Sequence, residues 1–180
     1  MKPKFLYFVL LIVLSGCASN QPTALLTGHT LEGALICLDS RDNIPAVVRK
    51  FFNSRDLTTE EGKIDYLIER VRAAHLTFIR NRVEYDSASA ATFLRWKLNR
   101  WKKKGTKIET AQDFVSIISS GSTMSGRPYS IILPDGSRHN LQPILQNELD
   151  ALNFCLKQYA VEADNTKSKA TPSQSGVNGN

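Results

Sequence analysis

The first seventeen residues decide how much chain is left to fold. Lys2 and Lys4 stand before Phe5 to Leu14, an almost unbroken apolar stretch. A helix that crosses a bilayer takes about 20 apolar residues, so this stretch is too short to span one. A basic start, a short apolar middle and a small-residue exit make a secretory signal, and residues 1–16 are expected to be removed before folding. Their loss takes away Lys2 and Lys4 and lowers the formal charge from +6 to +4. That mildly basic balance argues against a dedicated nucleic-acid binder. The remaining length suits one modest domain with its own core.

The exit is specific. Leu14-Ser15-Gly16-Cys17 resembles the lipobox of bacterial lipoproteins, where small residues let the peptidase reach the bond before the cysteine. The resemblance implies a diacylglyceryl thioether on Cys17 and an acyl group on its new amine. Each buried methylene contributes about 0.8 kcal/mol, so several chains on one residue anchor a protein permanently. Ala18 and Ser19 follow, and neither is the aspartate of an inner-membrane retention signal. The expected address is the cell envelope, lipid-anchored at the outer membrane and facing the periplasm. In that oxidising compartment Cys37 and Cys155 can form a disulfide between the N-terminal segment and the last helix. Both also sit in apolar runs, Leu35-Ile36-Cys37-Leu38 and Phe154-Cys155-Leu156, where a buried free thiol is the alternative.

Residues 17–30 read as a lipidated tether, and 31–57 as an N-terminal extension with a short helix from Pro45 to Phe52. The main domain is expected over 58–161. Thr58-Thr59-Glu60-Glu61 resembles a capping box, and Ile64, Leu67, Ile68 and Val71 fall at helical spacing. Leu76–Arg80 is strand-like, and Val83–Tyr85 returns across a turn at Asn81-Arg82. Asp86 or Ser87 caps a long helix that Gly105 stops. Thr110-Ala111-Gln112-Asp113 starts another, and a Ser/Gly loop leads to the strand Tyr129–Leu133. Pro134-Asp135-Gly136 is a turn. A last helix runs from about Leu141 to Val161, and residues 162–180 read as a disordered polar tail. The sum is an α+β domain, four or five helices packed on a small antiparallel sheet of two or three short strands.

One ordered series of residues is familiar: Phe78-Ile79-Arg80-Asn81, Ala90-Ala91 with Leu94-Arg95 and Lys97, Ile108-Glu109-Thr110-Ala111 with Phe114, and Ser119-Ser120, Ser122, Ser125-Gly126 with Pro128-Tyr129. It resembles the YfeK-like family, small exported bacterial proteins known as a domain of unknown function, over roughly residues 60–150. The resemblance implies an exported α+β domain and no particular activity. Family members often have glycine where Arg82 stands, a departure that speaks against a tight two-residue hairpin there.

Three constellations are candidates for binding. Arg95 to Lys107 holds seven Lys/Arg, two tryptophans and no acidic residue. At about 100° per residue, Ala91, Leu94, Leu98 and Trp101 share the core face while Trp96 points nearly opposite, among Thr92, Asn99 and Lys103. Trp96 with Arg100 and Lys103 suits a membrane interface or an anionic surface. Stacking on a base with lysines on phosphates is a further reading, and a solvated basic helix is the plain one. Second, Ser119–Arg127, with Ser122, Ser125 and Arg127, can form a nest of backbone N–H groups for an anion. It lacks the Lys-Ser/Thr and the flanking elements of a phosphate loop, and Gly121 and Gly126 have a simpler use as helix stop and turn. Third, Arg80 and Asn81 at a strand end can present a fork to a carboxylate or phosphate. The structural alternative puts Asn81 in a left-handed turn and pairs Arg80 with Glu84 or Asp86.

Enzyme signatures are sparse: His29, His75 and His139 are isolated, and no cysteine pair has metal-ligand spacing. No catalytic residue, metal ligand or cofactor is expected. The reading is a non-enzymatic envelope module that binds a protein, lipopolysaccharide or peptidoglycan. The alternative is an envelope hydrolase or transferase with a site near Arg80 and Ser125.

Overall fold

A computed structural model describes residues 25–29, 35–37 and 43–169. The signal segment, Cys17 and the tail beyond residue 169 lie outside the described residues. The elements run β1 (Leu26–His29), β2 (Leu35–Cys37), α1 (Asn43–Phe52), α2 (Glu60–Arg72), β3 (Thr77–Arg80), β4 (Val83–Tyr85) and α3 (Ser87–Lys103). After them come α4 (Ala111–Asp113), which continues as a π-helical turn over Phe114–Ile118, then β5 (Ser130–Ile132), β6 (Arg138–Asn140) and α5 (Leu141–Lys169).

Local chemistry accounts for most boundaries. The Thr59 hydroxyl accepts the N–H of Gly62 and caps α2. Only glycine fits at 62, because a Cβ there would lie 2.0 Å from the Asp56 carbonyl oxygen. Glu60 accepts the Lys63 amine within α2 at 2.7 Å and the Ala111 N–H at 2.8 Å, and so ties α2 to α4. Asp86 caps α3 through the Ser89 N–H at 2.7 Å. Thr110 and Asp113 form a reciprocal capping box at the start of α4.

The fold is α+β, as expected, with more strands than expected. β4-β3-β5-β6 form a four-stranded antiparallel sheet, and β1 and β2 form a separate antiparallel pair. The added strand, β6, consists of Arg-His-Asn, residues without the β-branched or apolar signature that marks a strand. It exists because the turn at Pro134-Asp135-Gly136 folds the chain back, pairing Ile132 with Arg138. β1 lies within the segment read as a tether. The last helix runs to Lys169 rather than Val161, since Glu162 and Ala163 continue it and no glycine or proline intervenes before Pro172.

Asn81 and Arg82 do make a tight two-residue turn, with φ of 54° and 70°, and Arg80 pairs with Val83 across it. Both central residues are left-handed, the geometry of a hairpin turn that glycine normally supplies at its second position. Arg82 adopts it at a conformational cost.

Phe78 and Ile131 point from the sheet into a core shared with Tyr66, Leu67, Ile68, Leu94 and Phe114. α2 packs against both α3 and α5. Between α2 and α5 lies an ion pair the sequence did not announce. Arg70 donates from Nε to Glu148 at 2.8 Å and from its terminal nitrogen at 3.0 Å, with the Tyr66 hydroxyl at 3.5 Å. Arg70 is 1% exposed and Glu148 0%, so the pair is sealed from water. Burial raises the Tyr66 phenol above its ordinary pKa, and the Glu148 charge adds to that.

Candidate functional site

The sequence stripe Phe93, Trp96, Lys97, Arg100 recurs at helical spacing along α3 and faces the edge of the sheet. The Arg80 guanidinium lies over the Phe93 ring, 4.0 Å from its centroid, rather than pairing with Glu84 or Asp86. Phe93 meets Tyr129 edge-on at 5.8 Å and Trp96 at 5.7 Å. Arg100 sits 5.4 Å from the Trp96 ring, and the Lys97 amine 4.8 Å from that of Tyr129. Rings in contact are therefore flanked by cations: Arg80, Phe93, Tyr129 and Lys97 in one branch, Phe93, Trp96 and Arg100 in the other. Each cation–ring contact is worth about 0.5–1 kcal/mol where exposed and about 2 where desolvated.

Between this array and the sheet is a half-open cavity of about 230 Å³, with Phe78, Tyr85, Phe93, Leu94, Tyr129 and Leu141 in its walls and Arg80 beside them. Its lining contains no carboxylate, imidazole or thiol. Trp96 is 52% exposed and borders a shallow depression with Ala88, Ser89, Thr92 and Phe93 that continues from the cavity. Trp96 is thus outward-facing, as its place on the helix predicts, and no described residue covers it.

Lys97 departs from the reading of a solvated basic helix. It is 3% exposed, and its amine donates to the carbonyls of Ile118 at 2.8 Å, Gly121 at 2.7 Å and Ile117 at 3.3 Å. Ile117 and Ile118 end the π-helical turn and Gly121 lies three residues beyond it, so Lys97 caps the turn as a cation caps a helix C-terminus and ties it to the following loop. Burial, reinforced by the Arg80 charge, lowers its pKa to about 8. Arg95 is also engaged, on Asp65, which Arg55 holds from the other side. Arg100 and Lys103 remain exposed.

The second and third candidates prove to be one place, without Arg80. Asn81, Arg82, Arg127 and Arg138 line a cleft of about 370 Å³ with Ile79, Pro128 and Ser130. Ser125 donates its hydroxyl to Asn81 Oδ1 at 2.6 Å, joining the two loops. The expected nest of N–H groups does not form. The Ser122 N–H is spent on the Arg127 carbonyl and the Gly126 N–H on the Ser122 carbonyl, both at 2.8 Å, and the Ser122 side chain is buried. Gly121 and Gly126 serve the loop itself: a Cβ at 121 would meet the Arg127 carbonyl oxygen at 2.5 Å, and Gly126 has φ 67°. Arg80 lines the aromatic cavity, whereas Ser125 is joined to Asn81 of the other cleft.

Cys155 is a free, buried thiol. Burial raises its pKa. The Cys37 side chain is outside the described residues. Among the described residues, no group of three His, Cys, Asp or Glu is placed to hold a metal, and no helix is long and apolar enough to cross a membrane.

Sequence reasoning missed Phe93, Tyr129 and Lys97 on one side and Arg82 and Arg138 on the other. The spacing of Phe93, Trp96, Lys97 and Arg100 was visible and would have exposed the first group. Arg138 had no signal, because only strand register brings it beside Arg127.

A model described as "Family of unknown function (DUF5329)" matches residues 58–153, just over half of the chain. The uncharacterized protein YfeK of Salmonella typhimurium is 32% identical over 71 residues, which is 39% of this chain and 57% of the relative. The match thus spans less than two thirds of that curated relative. No solved structure matches.

Proposed function

This chain belongs to the DUF5329 family of unknown function, and we propose that it is a lipid-anchored, non-enzymatic envelope module that binds an anionic amphiphile. The reading is carried by one observation: Arg80 and aromatic rings wall an apolar cavity whose lining has no acidic residue, and Trp96 with Arg100 lies beside it. An apolar hollow with a guanidinium on its wall favours a ligand with a hydrophobic part and a negative charge. At about 230 Å³ the cavity is smaller than the roughly 300–1,000 Å³ of sites that enclose a whole drug-sized molecule. It suits a ring or a short stretch of acyl chain while the rest lies across Trp96. Exposed Arg100 and Lys103 then meet the charged headgroups, and the lipid expected on Cys17 would keep the domain near such a surface. Lipopolysaccharide and anionic phospholipids both have this chemistry.

The test uses the full chain carrying fluorotryptophan, in which Trp96 and the half-buried Trp101 report separately. Lipopolysaccharide micelles are expected to shift the Trp96 fluorine resonance and leave that of Trp101 nearly still, with the response lost in Arg100→Glu/Lys103→Glu. Equal response to neutral phosphatidylcholine, or none to either, refutes the reading. Capture of a protein or a peptidoglycan fragment in cells by a photoreactive residue at 96, with no lipid product, would replace the amphiphile with that partner.

A further inference from the structure

The cleft beyond the hairpin turn is a separate matter from the aromatic cavity. Strand side chains alternate between faces. Phe78 and Arg80 point toward α3, while Ile79, Ser130 and Arg138 belong to the other face of the sheet. There Arg82 from the β3–β4 turn, Arg127 from the loop before β5, and Arg138 from β6 line one cleft together with Asn81. None of the three arginines is in an ion pair with a described residue. Glu84, paired with Ile79 across the hairpin, lines a different cleft with Arg72 and His75.

Like charges from three unconnected segments repel, and a fold gains nothing by gathering them. The arrangement is also held in place. The loop carrying Arg127 is closed at its neck by the Gly121–Pro128 bridge and the Ser122–Arg127 hydrogen bond, and is tied to the turn by Ser125 and Asn81. Arg82 keeps its place at φ 70°, a conformation that a side chain pays to adopt and that glycine would take freely. Backbone strain of this kind, held at the wall of a cleft, marks a site where the side chain is wanted.

We propose that Arg82, Arg127 and Arg138 form a binding site for a phosphate group, with the Asn81 amide as a further polar contact. Guanidinium groups match phosphate oxygens through paired N–H donors, and three of them suit a dianion better than a single carboxylate. The phosphate is that of a soluble phosphoester or of a lipid headgroup. The cleft shares Ile79 and Ser130 with the aromatic cavity, but its three arginines are not part of that cavity's lining, and the proposal does not rest on the reading of the cavity.

The experiment titrates the full chain, arginine-labelled with 15N and held in neutral detergent, with inorganic phosphate against chloride at matched ionic strength. The Nε–H signals of Arg82, Arg127 and Arg138 are expected to move along one saturating curve while those of Arg80 and Arg100 stay. Arg82→Gly removes one guanidinium and relieves the strained turn together. It is expected to weaken phosphate binding about tenfold, the loss of one charge-assisted contact, while raising the denaturation midpoint. A loss of binding therefore cannot be put down to a damaged fold. Unsaturating shifts shared by all exposed arginines would mean a counterion atmosphere and overturn the site, as would unchanged phosphate affinity in Arg82→Gly. Vesicles containing phosphatidic acid distinguish the sources. Binding tighter than to free phosphate assigns a headgroup, and binding no tighter assigns a soluble phosphoester.

Discussion

The helical side of the molecule and the sheet side treat charge in opposite ways. Between α2 and α5, Arg70 and Glu148 are buried together, and Asp65 lies between Arg55 and Arg95. Around the sheet, Arg80 and Arg100 face rings, Lys97 faces carbonyls, and Arg82, Arg127 and Arg138 face an open cleft. A buried ion pair is expensive to form, and once formed it specifies how its two helices meet. A cation without a carboxylate is available to something outside the chain. The contrast separates charges that hold the fold from charges that present a surface.

The sharpest break in that comparison is Glu148→Ala. It leaves the Arg70 charge sealed in the core without its carboxylate and is expected to cost about 3–5 kcal/mol in chemical denaturation. A cost near 1 kcal/mol would mean that the pair is no more than a surface bridge and that the two sides do not differ. Phe93→Ala probes the other side. Phe93 is only half-buried, so its removal is expected to cost clearly less stability than Glu148→Ala while abolishing the lipopolysaccharide response of Trp96.

Lys97 is the exception that sharpens the comparison, a buried cation on the sheet side. Its folded pKa, about 8, lies below the ordinary lysine value of 10.5. Between those pH values the unfolded chain holds the proton more tightly, so the Lys97 contribution to stability must rise as pH rises from about 8 toward 10. Cys155 and Tyr66, with raised pKa values, oppose this rise above about pH 9 and 10 in wild type and variant alike. The difference in denaturation midpoint between the wild type and Lys97→Met, followed from pH 7.5 to 9.5, is expected to move in favour of the wild type. A flat difference would show that the amine titrates normally. The smallest effect is that of Arg82→Gly, which is expected to stabilise the fold by about 1 kcal/mol by releasing a left-handed arginine.

The helical side was largely legible in the sequence, and so were three of the four strands of the larger sheet, but not the way that sheet assembles its sites. Caps at Thr59, Asp86 and Thr110, helical spacing at Ile64, Leu67, Ile68 and Val71, and the stop at Gly105 are local signals, and the structure uses all of them. Even there the Arg70–Glu148 pair was hidden, because nothing in either helix alone says that its charge turns inward. The sheet depends on register. β6 carries no strand signature, and the tight turn forms at Asn81-Arg82 although glycine is missing. Alternation then sends Arg80 and Asn81, neighbours in sequence, to different sites. The serine-rich loop looked like an anion nest by composition, yet its amides close the loop on itself, and what it offers is Arg127.

The division of charge is tested most directly by Arg80→Gln/Arg100→Gln in the full chain, with two readouts on one preparation: the denaturation midpoint, and binding to vesicles with and without anionic lipid. A midpoint lowered by no more than the two lost cation–ring contacts explain, about 1–2 kcal/mol, with binding to anionic vesicles reduced at least tenfold, is the expected result. A lowered midpoint with binding intact would contradict the account and place these cations, like Arg70, among the charges that hold the fold.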